Sequence, residues 1–325
     1  MHHTTEQAVS NTLGDDGHGL DADSPSEVPA RGWRDVAIRM KDAIRDDHSS
    51  LSAAGVAFFG FLALVPGLAA MVSLYGLFSD PEQVKSRAEE LFGALPTDAR
   101  QLLTDQLTRI TENSSTSLGL GLLVGLALAL WAASSGVAHL VEAINVSYNE
   151  TEERGPVVRR AMALTLTLLI LVSAGVTIAV ATALSGLADG SDALRASTTV
   201  ATFLVAAAAF VLILSVLYRH SPDRDRPKWR WVSPGALFAL VGWVVISILF
   251  RLYVDNFGSY NETYGTLAAI VIILFWLYLS AFVVLIGAQL NSELEHQTAR
   301  DSTTGPDRPL GDRDAEMADT VGPRV

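Results

Sequence analysis

The chain has 325 residues, of which 50% are hydrophobic, and a formal net charge of -12. It contains no cysteine, which excludes disulfides and thiolate chemistry. The negative charge does not indicate a soluble protein, because 18 of the 35 acidic residues lie before residue 51 or after residue 290. The apolar middle of the chain therefore decides the class of protein.

Residues 1–30 are rich in small polar and acidic side chains, and this composition predicts a disordered N-terminal tail. A short helix is predicted at 31–47, because Trp33, Val36 and Met40 recur at helical spacing. This helix either lies in the membrane interface beside anionic lipids or simply extends the first span.

Six apolar runs follow, each of 21 or more residues, and a helix needs about 20 apolar residues to cross the hydrocarbon layer. Arg251 is the one formal charge within them. The predicted fold class is an all-α, polytopic membrane protein whose membrane domain covers 31–295. Its predicted transmembrane helices are 51–78, 117–138, 161–184, 198–218, 232–254 and 266–290.

Three features along these runs concern helix geometry. Pro66 removes a backbone hydrogen bond and predicts a kink, which is either a plain structural kink or a bend that lines a substrate path. An amphipathic helical outer loop is predicted at 79–116. A small face in the second span predicts close helix packing rather than a binding site. That face consists of Gly121, Gly125, Ala129 and Ala133.

The basic residues predict the orientation. Alternate segments between the runs carry 17 Lys and Arg on one side and 5 on the other. Because cytoplasmic loops carry the excess, both termini are predicted in the cytoplasm of a bacterium, with the protein in the plasma (inner) membrane. The basic residues from Arg219 to Arg230 would contact anionic lipids of the bilayer. The polar tail 296–325 is predicted to be disordered.

One candidate site lies at the inner end of the second span. Ser135, His139 and Glu142 follow an i, i+4, i+7 pattern, which places them on one helical face. Polar groups at membrane depth are costly and usually face the bundle interior. The pattern indicates a proton relay or a polar substrate site, although an ordinary interfacial helix end has the same residues.

A second candidate site lies near the outer end of the fifth span. Arg251 could pair with a carboxylate and bind an anionic headgroup together with Tyr260 and Tyr264, or it could extend to the outer headgroups. At the inner end of the last span, Gln289, Asn291 and Glu293 share a helical face only loosely.

The sequence lacks the motifs of common enzymes. It has no metal-ligand spacing, no nucleophile elbow and no phosphate-binding glycine loop. No catalytic residue, metal, cofactor or nucleic-acid partner is therefore predicted, and the oligomeric state is left open.

Several short motifs occur along the chain: Gly55 to Pro66, Tyr218-Arg219, Pro234-Gly235-Ala236, Tyr264-Gly265-Thr266-Leu267, Trp276-Leu277-Tyr278 and Gly287-Ala288-Gln289-Leu290-Asn291. Together they resemble a known family, the YihY/BrkB-like bacterial integral membrane proteins. The resemblance covers roughly 35–295 and implies six helices in the plasma membrane. The family's name includes "virulence factor", and its older label, ribonuclease BN, does not suit a chain without a nuclease motif.

Two functions follow as hypotheses. The first is transport, flipping or export of an amphipathic molecule, with an anionic, lipid-like molecule as one candidate. The alternative is a non-catalytic membrane scaffold or envelope-assembly factor. A groove lined by Arg251, Tyr264, His139 and Glu142 would favour transport, whereas close packing around these residues would favour the scaffold.

Overall fold

The computed structural model of the chain describes residues 17–75, 100–101, 104–105, 120–186, 192–256 and 266–325. A 3-10 turn at Pro25–Glu27 precedes the α-helices. The helices are α1 Ala30–Asp46, α2 Ser49–Tyr75, α3 Leu120–Ser147, α4 Pro156–Gly186, α5 Asp192–His220, α6 Trp229–Asn256, α7 Thr266–Glu295 and α8 Glu316–Asp319. The predicted outer-loop helices at 79–116 lie almost wholly outside the described residues, as do the first 16 residues of the predicted N-terminal tail.

The protein is an all-α, polytopic membrane protein. Among the described residues, five helices are long and apolar enough to cross a bilayer: Ala127–Ser147, Pro156–Leu184, Leu194–His220, Trp229–Val254 and Ala269–Glu295. Helix α2 has 27 residues, and its described apolar part is the shorter stretch Ser49–Leu64. The number of six spans therefore stays a prediction.

The long helices form a ring in chain order. Each of α2 to α7 packs against the helix that follows it, and α7 packs against α2 to complete the ring. Because successive helices run in opposite directions, α2, α4 and α6 begin at the end where α3, α5 and α7 finish. We call this end, with its loops 148–155 and 221–228 and the terminal segments 17–29 and 296–325, the polar end.

The hydrophobic core lies in the half of the ring next to the polar end. It contains the last turns of α3, α5 and α7 and the first turns of α2, α4 and α6. Its largest fully buried aromatic side chains are Tyr148 and Tyr218. The Tyr218 hydroxyl donates to the carbonyl of Val284 at 2.7 Å, which joins α5 to α7 across the ring.

Helices α6 and α7 cross at two glycines. A Cβ on Gly287 would lie 2.6 Å from the Gly235 carbonyl oxygen and 2.5 Å from the Tyr218 hydroxyl oxygen, so only glycine fits there. Asn291 fastens the crossing, because its side-chain oxygen accepts from Gly235 N at 2.7 Å and its side-chain nitrogen donates to Val232 O at 3.0 Å. The motifs around Gly235 and Gly287 therefore have a packing role.

Helices α2 and α3 also approach closely. A Cβ on Gly136 would lie 3.2 Å from the Cα of Gly60, and Ala133 is 7% exposed beside Gly67. Ala133 belongs to the predicted small face, and the close approach described at Gly136 lies three residues after it. Helix α2 is continuous across Pro66, so the predicted kink there stays a prediction.

Helix α1 is a separate element from α2. His48 has a φ of 52°, which interrupts the helical backbone between them and excludes a simple extension of the first span. The apolar stripe of α1 packs on the bundle, where Val36 is fully buried with Trp231, Leu290 and Leu294.

The polar terminal segments 17–30 and 296–325 pack on the polar end, whereas their composition predicts disorder. Thr298 donates to the carbonyls of Leu20 at 3.1 Å and Ala22 at 2.7 Å, which ties the two segments together. Arg313 is fully buried.

Arg313 explains how so polar a segment can fold. Its guanidinium donates to the carbonyls of Arg308, Arg300, Ala318 and Ala299 at 2.7–3.2 Å. One buried arginine thus satisfies several backbone acceptors that would otherwise need water. These hydrogen bonds, which span 5–14 residues of the chain, hold together a segment that has few apolar residues.

Candidate functional site

A groove opens between α3 and α4 at the polar end. Its volume is about 200 Å³. The wall from α3 contains Glu142, and the wall from the first turn of α4 contains Arg159 and Arg160. We call this the α3–α4 groove; it is lined by Ala138, Val141, Glu142, Glu152, Pro156, Arg159 and Arg160.

Arg160 is held in place by neutral groups of α3. Its guanidinium lies 3.9 Å from the centroid of the Trp131 ring. It donates to Ser135 Oγ at 3.4 Å and also to the carbonyl of Trp131. Within the described residues Arg160 forms no ion pair, and its buried Nε has no hydrogen-bond partner. A positive charge in a fixed position is therefore left without a counter-ion in the part of the chain that the structure describes.

Arg160 also lies deep along the bundle. Trp131 precedes Glu142 by 11 residues and Ser135 precedes it by seven, which correspond to about 16 Å and 10 Å along α3 at ~1.5 Å per residue. The guanidinium thus extends from the start of α4 towards the membrane part of α3. Charged groups at such depth are costly and usually mark a functional path.

The predicted residues Ser135, His139 and Glu142 lie along one side of α3 close to this groove. The His139 ring stacks on Phe59 of α2 with centroids 3.6 Å apart. His139 Nδ1 is 3.7 Å from Glu142 Oε2, which is longer than a hydrogen bond. The Glu142 side chain is 58% exposed, so its carboxylate is available to a ligand.

The second carboxylate of the groove is already neutralised. Glu152 accepts two hydrogen bonds from Arg154, at 2.6 and 2.7 Å, and a third from Asn145 at 3.0 Å. Burial alone would raise the pKa of Glu152, but the hydrogen bonds and charge of Arg154 hold that pKa below its ordinary value. Asp223 connects the loop 221–228 to the loop 148–155, because its carboxylate accepts a hydrogen bond from Arg154 N at 3.2 Å.

Arg224 of the loop 221–228 and Glu295 at the end of α7 form a buried ion pair. Arg224 Nη2 lies 2.7 Å from Glu295 Oε2, and the two side chains are 1% and 0% exposed. The Ser302 hydroxyl also donates to Glu295, at 2.6 Å. Nearby, burial raises the pKa of Glu150 to about 7 although the charge of Arg224 lowers it in part.

A second buried pair joins α1 to α7. Arg39 Nε donates to Glu293 Oε2 at 2.7 Å, and its Nη1 donates to the carbonyl of Pro323 at 3.2 Å. Gln289 is fully buried one turn earlier. Burial and the adjacent Asp46 raise the pKa of Asp47, the residue after α1, to about 6.

Comparison with known proteins identifies the family. The model of the "Virulence factor BrkB" family matches residues 40–310. The chain belongs to this BrkB family. A UPF0761 membrane protein of Idiomarina loihiensis is 30% identical over 77% of this chain and 87% of its own length. One of Alteromonas mediterranea is 27% identical over 81% and 90%. The ribonuclease-like protein YfkH of Bacillus subtilis is 27% identical over 74% and 88%. No solved structure matches the chain significantly.

The predicted outer site of this BrkB family member is only partly described. Arg251 is exposed near the end of α6 remote from the polar end. It lies 22 residues beyond Trp229, or about 33 Å along the helix. The structure therefore does not bring Arg251 together with His139 and Glu142. Tyr260 and Tyr264 lie outside the described residues.

The basic segment from Arg219 to Arg230 divides into two groups. Arg224 is buried in its ion pair, which corrects the expectation that it contacts lipid. Lys228 also binds within the polar end, because its Nζ donates a hydrogen bond to the Asp301 carbonyl at 2.7 Å. Arg226 and Arg230 are exposed.

Several residues of the polar end escaped the sequence analysis. In the sequence, Arg159 and Arg160 contribute only to the count of basic residues, and their position soon after Pro156, at the start of a helix, is the one available clue. Asn291 and Glu293 carried a loose helical pattern, yet both are buried and bonded. Arg224 and Glu295 are 71 residues apart, and no local pattern connects them.

Proposed function

We propose that this membrane protein moves an amphipathic molecule with an anionic group across the bilayer, and that the α3–α4 groove holds the polar group of that molecule. The supporting observation is Arg160, a guanidinium fixed by Trp131 and Ser135 without an ion-pair partner among the described residues. A phosphate or carboxylate is the group that such a guanidinium binds best.

The surroundings of the groove suit an amphipathic ligand. Beyond it, α3 and α4 present exposed apolar side chains, among them Leu128, Trp131, Leu168 and Val172. Acyl chains could remain in the hydrocarbon layer beside these residues while the polar group enters the groove. The volume of about 200 Å³ equals that of roughly seven water molecules, which suits a headgroup rather than a whole lipid.

We place the polar end in the cytoplasm of a bacterium, with the protein in the plasma membrane. The uneven distribution of Lys and Arg supports this orientation. In the same orientation, the exposed Arg226 and Arg230 would face the anionic lipids of the inner leaflet.

The test is a reconstituted transport assay. The full chain is inserted into vesicles that contain acyl-labelled fluorescent phospholipids, and dithionite reports the label in the outer leaflet, with and without an imposed pH gradient and membrane potential. The native chain should move label faster than protein-free vesicles allow. Arg160→Gln should lower the rate about tenfold, because a hydrogen bond to a charged group contributes ~1.5–3 kcal/mol.

Arg195→Gln is the matched control, because Arg195 is exposed at the start of α5, away from the polar end. It should leave the rate unchanged. Equal rates with the native chain and with empty vesicles under every gradient would refute transport.

The scaffold remains the second candidate. The observation in its favour is the folded polar end, where Arg313 and the Arg39–Glu293 pair hold the terminal segments in place. Such a fixed surface suits a partner protein. A chain that moves no lipid but is recovered from membranes with a stoichiometric partner would support the scaffold.

A further inference from the structure

The α3–α4 groove carries charges of both signs on opposite walls. Arg159 and Arg160 belong to α4, and Glu142 belongs to α3. Of the two groove carboxylates, Glu152 is saturated by Arg154 and Asn145, so Glu142 is the one that can bind a cation. A purely anionic ligand would have no favourable contact with the exposed Glu142 carboxylate and would be repelled by its negative charge.

We infer that the polar group held in this groove is a zwitterion, a phosphate joined to a primary ammonium, as in the headgroup of an ethanolamine phospholipid. This inference rests on the proposed function and adds the substrate class. The phosphate would bind Arg160, with Arg159 at the exposed rim, and the ammonium would bind Glu142.

The spacing along α3 fits such a ligand. The Arg160 guanidinium is anchored at Ser135, about 10 Å along the helix axis from Glu142. Side chains on a helix lean towards its N-terminus, and because the Glu142 side chain is longer than that of Ser135, its carboxylate lies closer to that level. A phosphate and an ammonium separated by two methylene carbons cover the remaining gap when a hydrogen bond is added at each end.

The same arrangement discriminates between common headgroups. A primary ammonium offers three N–H donors to Glu142. A quaternary ammonium offers no N–H donor, and a glycerol headgroup offers neutral hydroxyls in place of a cation. Arg160 would bind the phosphate of all three, so the preference should come from Glu142 alone.

The experiment uses full-length protein in vesicles of phosphatidylcholine with trace acyl-labelled phosphatidylethanolamine or phosphatidylglycerol. The native chain should move the ethanolamine lipid at least about threefold faster, the size of a partly exposed ionic contact. Glu142→Gln should reduce that rate to the glycerol-lipid rate and leave the glycerol lipid unaffected. Arg160→Gln should slow both lipids.

Glu153→Gln is the matched control. Glu153 is an exposed carboxylate of the adjacent loop that does not line the groove. Its removal should leave the preference intact. Equal rates for the two lipids in the native chain, or an equal effect of Glu142→Gln on both, would overturn the zwitterion assignment while transport itself stands.

A binding measurement separates the two proposals. Protein in detergent is titrated with the same labelled lipids, and retention is measured by fluorescence anisotropy. Preferential retention of the ethanolamine lipid that Glu142→Gln abolishes, without movement in vesicles, would refute transport and keep the headgroup assignment. No preference in either assay refutes the assignment. Displacement by soluble glycerophosphoethanolamine at concentrations equal to the lipid would show a soluble ligand and overturn the lipid source.

Discussion

Removal of Arg224 should destabilise the polar end more than removal of any exposed arginine beside it. Arg224 is 1% exposed and donates to the Glu295 carboxylate, which is 0% exposed. It also lies 5.3 Å from the centroid of the Tyr148 ring. In Arg224→Met, Glu295 would stay buried with the Ser302 hydroxyl as its remaining donor among the described residues.

The expected cost follows from the unpaired carboxylate. Removing one partner of a buried ion pair costs ~3–5 kcal/mol, because the other charge remains desolvated. Since replacement of both partners by apolar groups is often neutral, the double variant Arg224→Met with Glu295→Leu should recover most of the loss. The coupling between the two positions should then exceed about 1 kcal/mol.

The assay is denaturant unfolding of the purified chain in detergent, followed by tryptophan fluorescence. Arg226→Met is the matched control, because Arg226 is exposed in the same loop, and its free energy of unfolding should change by less than ~0.5 kcal/mol. If Arg224→Met and Arg226→Met have the same free energy of unfolding, the Arg224–Glu295 pair does not stabilise the fold and the reasoning is wrong.

Three further predictions concern the same end. Gly287→Ala should lower the free energy of unfolding by ~1–3 kcal/mol, because its Cβ would overlap Gly235 O, whereas Gly175→Ala, with open space around it, should not be destabilising in the same denaturant titration. Burial raises the pKa of Glu150 from 4.5 to about 7, so the folded state binds a proton that the unfolded state has released, and the free energy of unfolding should fall as pH rises from about 4.5 to about 7. Glu150→Gln should flatten this part of the pH profile of unfolding. An unchanged profile would contradict the burial argument. Arg313→Met should release the C-terminal segment, which limited proteolysis would detect as faster cleavage after residue 296, while Arg31→Met at an exposed position should leave cleavage unchanged.

Much of the membrane domain could be predicted from local sequence. Apolar runs of spanning length are set by composition over 20 or so residues, and the predicted segments 161–184, 198–218, 232–254 and 266–290 each lie within one long helix. The helices extend beyond these apolar segments at the polar end, because turns with charged residues continue the helical backbone hydrogen bonds past the last apolar residues.

The terminal segments could not be predicted in the same way. Their composition is polar, and polar composition alone indicates disorder. What orders 296–325 includes long-range hydrogen bonds, such as those from Thr298 to the Leu20 carbonyl and from Arg39 to the Pro323 carbonyl. Such bonds depend on the meeting of distant residues, and no window of sequence contains them.

The candidate groove was half predictable for the same reason. The face of Ser135, His139 and Glu142 follows from helical periodicity within one segment. The opposing wall belongs to α4, and only the packing of α3 on α4 shows that Arg160 lies against Ser135 rather than in the headgroup region.

The arginines of the polar end show why counting charges cannot assign their roles. Each arginine counts equally in predicting the orientation of the protein in the membrane, yet their surroundings in the fold give them different roles. Arg224 is fully surrounded and meets a carboxylate, so its charge is neutralised within the fold. Arg160 meets only a hydroxyl, a carbonyl and an indole ring among the described residues, so its charge is positioned but not neutralised. Because a positioned cation without an ion-pair partner among the described residues is costly to keep at a groove, we propose a ligand for it.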